Sequence, residues 1–227
     1  MAKQSKRFRT LAGKVKSADP MELDAAVKLL KEFANTKFDQ TVEVSFHLGI
    51  DPKQADQAVR GAMSLPAGTG KTVRILVFAK GDNADKAKEA GADFVGDADL
   101  ATKIKGGWMD FDMTLATPDM MGVVGPLGKV LGPRGLMPTP KNGTVTADIA
   151  TAVREFKAGK VEYRSDKDGN LHVVVGKISF AAEKLKENIE ACVRTIRSVR
   201  PSSVKGHFIE SVTVSATMSP GLRVTVL

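Results

Sequence analysis

Cysteine, histidine and aromatic residues are scarce in this chain. Its 227 residues include one cysteine, Cys192, one tryptophan, one tyrosine and three histidines. A single cysteine excludes an internal disulfide and is typical of proteins from a reducing compartment, so we expect a cytoplasmic location. The histidines are far apart in the sequence and none has a metal-ligand spacing to a partner, so we expect no metal site.

Long apolar runs are also missing. No stretch approaches the roughly 20 consecutive apolar residues that span a membrane, and we expect no membrane partner. Hydrophobic residues still make up 42% of the chain. This is enough for a buried core, and the length allows two domains.

Basic residues exceed acidic ones by 34 to 26, which gives a net charge of +8. This surplus favours a polyanionic partner such as nucleic acid. Six basic residues precede the first acid, Asp19, and they are Lys3, Lys6, Arg7, Arg9, Lys14 and Lys16. Because no apolar run accompanies them, they predict a solvated basic arm rather than a signal sequence.

Several segments have the alternating pattern of half-buried strands. They are 41–48 (TVEVSFHL), 160–166, 171–176 and 211–218. Alternation of this kind predicts a sheet with one buried and one polar face. Helix-capping residues predict one helix near Asp19 and a second near Asp51, and a long apolar stripe predicts a third from Phe180.

The middle of the chain has a different pattern. Residues 73–79, VRILVFA, form a near-continuous apolar strand, and helices and strands alternate after it. This order predicts a doubly wound, Rossmann-like parallel sheet with helices on both faces. Without residues 67–158, the chain runs strand, helix, strand, strand, helix, strand, which is the order of a split βαβ, ferredoxin-like α+β sandwich.

We therefore predict an α/β protein of two domains. Residues 1–66 and 159–227 form the split domain, and residues 67–158 form the domain inserted into it. The two crossings between them, near LPAGTG and FKAGK, contain glycines and small residues that suit hinges.

Residues 66–72, PAGTGKT, resemble the end of a phosphate-binding loop, so one alternative function is a nucleoside triphosphatase that uses Lys71. Such a loop needs a glycine where this chain has Leu65, and it follows a strand and opens a helix. Here a strand follows instead. We therefore interpret the segment as a turn between domains.

Three acids, Asp110, Asp112 and Asp119, lie near the end of a predicted parallel strand, where enzymes of this architecture place acids. A Rossmann-like enzyme working near Asp112 is therefore the second alternative. No nucleophile or cofactor fingerprint is nearby, so we predict no catalytic residue and no cofactor. Cys192 falls in the apolar stripe of a helix, which predicts a buried, inert thiol.

The segment 122–143 is rich in glycine and proline and has two open interpretations. It contains no acid, while Lys129, Arg134 and Lys141 supply positive charge, so its backbone amides and cations suit phosphates. A rigid, turn-rich loop fits the composition equally well. A segment of this length without regular structure is unusual in a compact domain and tends to be functional.

Hydroxyl side chains are concentrated on the polar faces of two predicted strands. These faces carry Thr41, Glu43, Ser45, Ser211, Thr213, Ser215 and Thr217. The split fold places the strands side by side, and a dense hydroxyl surface suits the 2′-OH groups of RNA, although an ordinary solvated sheet face has the same pattern. Only Phe38 and Tyr163 are near, which favours recognition of folded RNA by shape over stacking of unpaired bases.

Five segments carry a resemblance to a known family. They are KFDQTVEVSFHLGIDPKQADQAVRGAMSLPAGTGKTVRILVFAKG, EAGADFVG, GWMDFDMTLATPDMMGVVGPLGKVLGPRGLMPTPKNGTV, KAGKVEYRSDKDGNLHVVVGKISF and TMSPG. Through them nearly the whole chain closely resembles the bacterial form of the family of large ribosomal subunit protein one, which forms the mobile stalk. The resemblance implies a split domain that holds both termini, with a doubly wound domain inserted into it.

The same resemblance implies a function. It implies a structural ribosomal protein, not an enzyme, that binds large-subunit ribosomal RNA, assists release of deacylated tRNA from the exit site and represses translation of its own operon mRNA. It further implies a protein that is monomeric when free and otherwise associated with ribosomes in the cytoplasm.

The RNA-binding residues that the resemblance implies belong to two sides of one cluster. They are Lys37, Phe38, Thr41 and Glu43 on the first side, Thr217, Met218 and Ser219 on the second, Arg164, Asp166 and Lys167 beside them, and Ser211 and Gly221. At Ser219 the family usually has glycine, so the side chain here either crowds the RNA backbone or adds a contact. Ala67 likewise replaces a common histidine at the first crossing.

Overall fold

The computed structural model describes residues 4–15, 19–54 and 56–225, and its fold is mixed α/β. Lys3 and Lys16 lie outside this part of the chain. The α-helices are α1 Lys6–Lys14, α2 Leu23–Glu32, α3 Asp82–Glu89, α4 Ala98–Lys105, α5 Met121–Val124, α6 Gly128–Leu131, α7 Ile149–Ala158 and α8 Ala182–Ser198. The strands are β1 Thr41–Leu48, β2 Arg60–Ser64, β3 Ile75–Phe78, β4 Phe94–Gly96, β5 Met113–Ala116, β6 Lys160–Arg164, β7 Asn170–Lys177, β8 Ile209–Ala216 and β9 Leu222–Val224.

The chain forms two compact units. The first runs up to Gly70 and resumes at Val161, and the second is Lys71–Lys160. The prediction that these units are separate domains, with residues 1–66 and 159–227 in one and residues 67–158 in the other, remains a prediction.

A four-stranded antiparallel sheet in the order β7-β1-β8-β9 forms the centre of the first unit. Alternate side chains of β1, Val42, Val44 and Phe46, are at most 1% exposed. They pack with apolar side chains of α2 and α8 in a single core. The strands β2 and β6 pair separately in a two-stranded sheet. The alternation along β1 therefore predicted its buried face correctly.

Cys192 lies in this core. Its side chain is fully buried in α8, and the loss of hydration raises the pKa of the thiol to about 12. A thiol with so high a pKa carries almost no thiolate at neutral pH. The prediction of a buried, inert cysteine is confirmed.

The stretch after β1 differs from the prediction. The described residues between β1 and β2 form turns, in which the Asp51 main-chain N–H donates to Gln57 Oε1 at 2.8 Å. From Asp51 to the start of β2, Val59 is the only large apolar residue of the sequence, so a helix beginning at Asp51 would have no apolar face to bury. The predicted helix at Asp51 is therefore wrong, and α2, which precedes β1, packs against the sheet together with α8.

The basic N-terminal segment is also more ordered than predicted. It forms α1, whose first turn is capped by Ser5 Oγ accepting from Phe8 N at 3.2 Å. Leu11 is 3% exposed and belongs to the core of the first unit. A cap and one buried leucine are enough to dock the helix, so the expectation of a solvated arm is wrong for these residues.

A three-stranded parallel sheet in the order β4-β3-β5 forms the centre of the second unit. Leu76 and Phe78 pack with side chains of α4, α5 and α6. Ile75 and Val77 pack with side chains of α3 and α7. Helices thus cover both faces of β3, as a continuous apolar strand requires. The prediction of a parallel sheet in this part of the chain is confirmed.

The glycine- and proline-rich segment has regular structure. Besides α5 and α6 it contains 3-10 turns, which are Gly125–Leu127 and Pro140–Asn142. Val124, Leu127 and Leu131 are fully buried, because their spacing of three and four residues places them on one helical face. The expectation of a segment without regular structure is therefore wrong.

Charged side chains form an ion-pair cluster at the amino end of β5. Asp112 accepts from Lys71 Nζ at 2.8 Å and from Arg74 Nε at 3.1 Å, and Arg74 also pairs with Asp110. The hydrogen bond from Lys71, joined by those from Arg74, lowers the pKa of Asp112 to about 2 against the opposing effect of partial desolvation. Hydrogen bonds to the two carboxylates raise the pKa of Arg74.

Asp112→Asn is expected to destabilise the second unit at neutral pH. A carboxyl whose pKa is lowered on folding stabilises the folded state above its unfolded pKa, near 3.8, and this contribution disappears as the pH falls towards about 2. We expect a loss of about 1 to 2 kcal/mol that shrinks in acid. Urea unfolding, followed by fluorescence of the only tryptophan, Trp108, measures the loss at each pH.

The matched control is Asp110→Asn. The Asp110 side chain is 68% exposed, and an exposed ion pair contributes little to stability. A loss of equal size for both variants, or one that does not change with pH, would contradict the assignment.

Candidate nucleic-acid interface

The polar faces of β1 and β8 lie side by side. The strands pair antiparallel, with Glu43 opposite Ser215 and Ser45 opposite Thr213. Ser215 Oγ donates to Glu43 Oε1 at 3.3 Å. The prediction that the two hydroxyl-bearing strands are neighbours is confirmed, and their shared face lies opposite the core.

Thr41 and Thr217 meet at one end of this pair of strands. Thr41 N donates to Thr217 Oγ1 at 3.1 Å, and Thr217 N donates to Thr41 O at 3.0 Å. Lys177 Nζ donates to Thr41 Oγ1 at 2.7 Å. An ammonium group cannot accept a hydrogen bond, so the Thr41 hydroxyl accepts here and its own proton is directed elsewhere. The bond to Lys177 therefore leaves the donor function of the Thr41 hydroxyl unused.

Lys177 was missed by the sequence analysis, and the reason is a β-bulge. Extending the register of His47 opposite Asn170 along the strands would place Gly176 opposite Thr41. The register instead shifts between Val42 and Glu43, which brings Lys177 opposite Thr41. An added residue of this kind reverses the face on which the following side chains lie. The one local signal of the bulge is the isolated glycine of β7, Gly176, which has a φ of 151° and which the sequence analysis did not use.

Exposed apolar side chains lie close to the two threonines in the sequence, Phe38 three residues before Thr41 and Met218 directly after Thr217. Phe38 is 50% exposed and Met218 is 64% exposed. Met218 has a φ of 62°, the left-handed conformation that bulky residues rarely adopt. Lys37, next to Phe38, is also exposed. An exposed apolar pair at an unfavourable turn is typical of a binding surface.

Ser219 and Gly221 have structural roles in the turn after β8. Ser219 Oγ is 2.9 Å from both Ala216 N and Ala216 O, so its hydroxyl closes the turn after β8. A Cβ on Gly221 would lie 2.7 Å from Thr213 Cγ2. A larger residue at this position would therefore have to displace the Thr213 side chain.

The structure does not bring all predicted site residues together. Asp166 belongs to the turn before β7, where its carboxylate accepts from Asn170 N at 2.7 Å. Asn170 lies opposite His47, six residues along β1 from Thr41, or about 20 Å at the usual strand rise. Ser211 is also opposite His47. The expectation that Arg164, Asp166 and Lys167 lie beside the Thr41 cluster is therefore wrong, because their hairpin is at the opposite end of the sheet.

Two groups of site residues follow from this geometry. We call the first the Thr41 end, and it comprises Lys37, Phe38, Thr41, Glu43, Lys177, Thr217, Met218 and Ser219. We call the second the hairpin end, and it comprises Arg164, Asp166, Lys167 and Ser211.

The alternative sites receive no support from the geometry. Lys71 precedes a strand and pairs with Asp112, whereas a phosphate-binding lysine opens a helix. Asp112 lies at the amino end of β5, whereas ligands of parallel sheets bind at the carboxyl ends. The described residues contain no group of three or more side chains suited to hold a metal ion. None of the helices described is long and apolar enough to cross a membrane.

A comparison with models of protein families shows the family of the chain. The model of the ribosomal protein L1p/L10e family matches residues 30–220, which is most of the chain. The match contains every residue of the Thr41 end and of the hairpin end, and it leaves α1 outside. The family consists of structural ribosomal proteins rather than enzymes. The chain therefore belongs to the ribosomal protein L1p/L10e family and is a protein of the large ribosomal subunit.

Proposed function

We propose that the Thr41 end binds a structured region of large-subunit ribosomal RNA and that the protein thereby forms the mobile stalk. The observation that carries this proposal is the contact of Thr41 with Thr217, whose hydroxyl accepts from Thr41 N and donates to Thr41 O, close in sequence to the exposed side chains of Phe38 and Met218. Hydroxyl groups suit the 2′-OH groups of RNA. Apolar side chains that exclude water strengthen such hydrogen bonds.

The basic and acidic side chains at the Thr41 end suit different parts of an RNA molecule. Lys37 and Lys177 supply positive charge for phosphates, which makes part of the affinity dependent on salt. Glu43 is an acceptor only, and a carboxylate repels phosphate but accepts from base amino groups and 2′-OH groups. This combination favours specific contacts to sugars and bases over contacts to the RNA backbone alone.

The hairpin end is proposed as a second contact region. Arg164 and Lys167 are exposed basic residues, and they suit the RNA backbone. Because about 20 Å of sheet separates them from Thr41, a single RNA must extend along the polar face to reach both ends.

Thr217→Val is expected to weaken binding to the stalk fragment of large-subunit RNA. Loss of a hydrogen-bonding partner that RNA buries costs about 1 to 3 kcal/mol. The melting temperature should change little, because Thr217 is exposed and water can replace the bonds of its hydroxyl to the Thr41 main chain. Thr217→Ser keeps the hydroxyl and should retain most of the affinity. Titrations across a salt series against the fragment and an unrelated duplex of equal length measure these effects.

The wild-type protein should prefer the stalk fragment even at high salt. Equal binding of both RNAs that fades together with salt would show that only the basic surface acts. Unchanged affinity in Thr217→Val would remove Thr217 from the site.

Two further RNA partners are proposed, exit-site tRNA and the protein's own operon mRNA. The support for them is the resemblance to the bacterial form of the family and the net charge of +8. On this proposal the protein assists release of deacylated tRNA and represses translation of its operon, acts as a monomer when free and resides in the cytoplasm.

The operon mRNA is expected to compete with ribosomal RNA for the Thr41 end. A fragment of the message should displace labelled stalk RNA, and Thr217→Val should weaken both complexes by the same factor because both use one surface. Binding of the message that is insensitive to Thr217→Val would contradict a shared site.

We also propose that the two units are domains, a split ferredoxin-like sandwich and an inserted Rossmann-like domain, that move about the crossings. Support comes from the way the first crossing is held within the first unit. The fully buried side chain of Asn188 accepts from Ala67 N at 3.0 Å and donates to Gly68 O at 2.9 Å. Gly70 has a φ of 71°, and a Cβ there would lie 2.7 Å from the ring of Phe180.

Lys71, the next residue, is held within the second unit by Asp112. This arrangement favours a pivot about the backbone torsions ψ of Gly70 and φ of Lys71, with a second near Gly159, which has a φ of 115°. Backbone relaxation is expected to find Ala67 and Gly68 as rigid as α8, with mobility confined to the two pivots. Small-angle scattering that fits one rigid shape at every salt concentration, with and without RNA, would contradict the motion.

A further inference from the structure

We propose that Arg7 positions the turn at Met218 for RNA binding, so that α1 takes part in recognition although it lies outside the family match. The inference rests on the proposed function of the Thr41 end. The observation behind it is that one guanidinium group is hydrogen-bonded to two segments of the chain. Arg7 Nη1 donates to Asn35 Oδ1 at 2.9 Å, and Arg7 Nη2 donates to Met218 O at 3.0 Å.

Both partners of Arg7 adjoin site residues. Asn35 belongs to the turn after α2 that leads to Lys37 and Phe38. Met218 directly follows Thr217. A guanidinium presents its donors in a fixed, planar fork, so a side chain bonded to both segments restricts their separation. Arg7 therefore links the two sides of the Thr41 end from outside the sheet.

The turn at Met218 needs external support. Its φ of 62° is disfavoured for any residue with a bulky side chain. Ser219 Oγ supports the turn from within through Ala216. The bond from Arg7 to the Met218 carbonyl group supports it from outside, because that carbonyl group belongs to the residue in the left-handed conformation.

Arg7 can act in this way because α1 is anchored. Leu11 is buried in the core of the first unit, and Lys14 Nζ lies 3.6 Å from Glu32 Oε2 on α2. The guanidinium is thus presented from a docked helix rather than from a mobile arm. The helix supplies an exposed basic residue, Arg9, as an internal comparison for the effect of charge alone.

The test compares Arg7→Gln with Arg9→Gln, which remove the same charge from the same helix. Arg7→Gln is expected to weaken binding to the stalk fragment about tenfold, the effect of losing hydrogen bonds from a charged donor. Its slope of log affinity against log salt should stay unchanged, whereas loss of a phosphate contact lowers that slope by about 0.7 to 0.9. Arg9→Gln should leave specific affinity nearly unchanged.

A second variant, Met218→Gly, tests whether Arg7 acts through the conformation of the turn. Glycine adopts the left-handed conformation at no steric cost, so Arg7→Gln should cost less affinity in a Met218→Gly background than in the wild-type protein. In the free protein, the Met218 methyl resonance should shift and sharpen on Arg7→Gln and stay unchanged on Arg9→Gln. This readout does not depend on RNA and detects release of the turn directly.

The outcomes distinguish a wrong role for Arg7 from a wrong RNA-binding site. If the wild-type protein prefers the stalk fragment but Arg7→Gln behaves as Arg9→Gln, lowers the salt slope or is additive with Met218→Gly, the role of Arg7 is overturned and the RNA site stands. If the wild-type protein has no preference for the stalk fragment, the proposed function fails, and the role of Arg7 in RNA binding fails with it.

Discussion

The antiparallel pairing of β1 with β8 is the contact on which the first unit depends. The inner side chains of the two strands, such as Val44 and Val214, are fully buried in the core beneath α2 and α8. The same pairing sets Thr41 against Thr217 on the outer side. Because side chains alternate along a strand, a slip of one residue would expose the core and bury the hydroxyls. Burial of the core therefore fixes the geometry of the proposed site.

Features that depend on local periodicity were predictable from the sequence. The alternation along β1 and the continuous apolar run of β3 identified a half-buried and a fully buried strand. The predicted helix at Asp51 failed because capping residues are not sufficient without an apolar face to bury. Residues 122–143 were predicted to lack regular structure because they are rich in glycine and proline. Leu127 and Leu131 are buried at helical spacing, and their burial stabilises the short helices of this segment.

The composition of the site was only partly predictable, because non-local contacts decide it. Lys177 reaches Thr41 through a β-bulge, for which the isolated Gly176 in β7 is the only local signal, and a signal that does not give the register. Arg7 reaches Met218 from a helix at the start of the chain. The hairpin residues were assigned to the cluster from the family resemblance, but strand direction places Asp166 at the opposite end of the sheet. Residue type indicated the kind of chemistry, and strand register decides which groups lie together.

Hydrogen exchange on the free protein and on its complex with the stalk RNA fragment tests the central claim most directly. Residues 37–39, 217 and 218 are exposed and lie at the ends of strands, where backbone amides exchange faster than in the core of a sheet. The account predicts that RNA slows exchange at residues 35–39 and 217–221, at opposite sides of the paired threonines. Protection confined to the second unit, Lys71–Lys160, with no change at the Thr41 end, would contradict it.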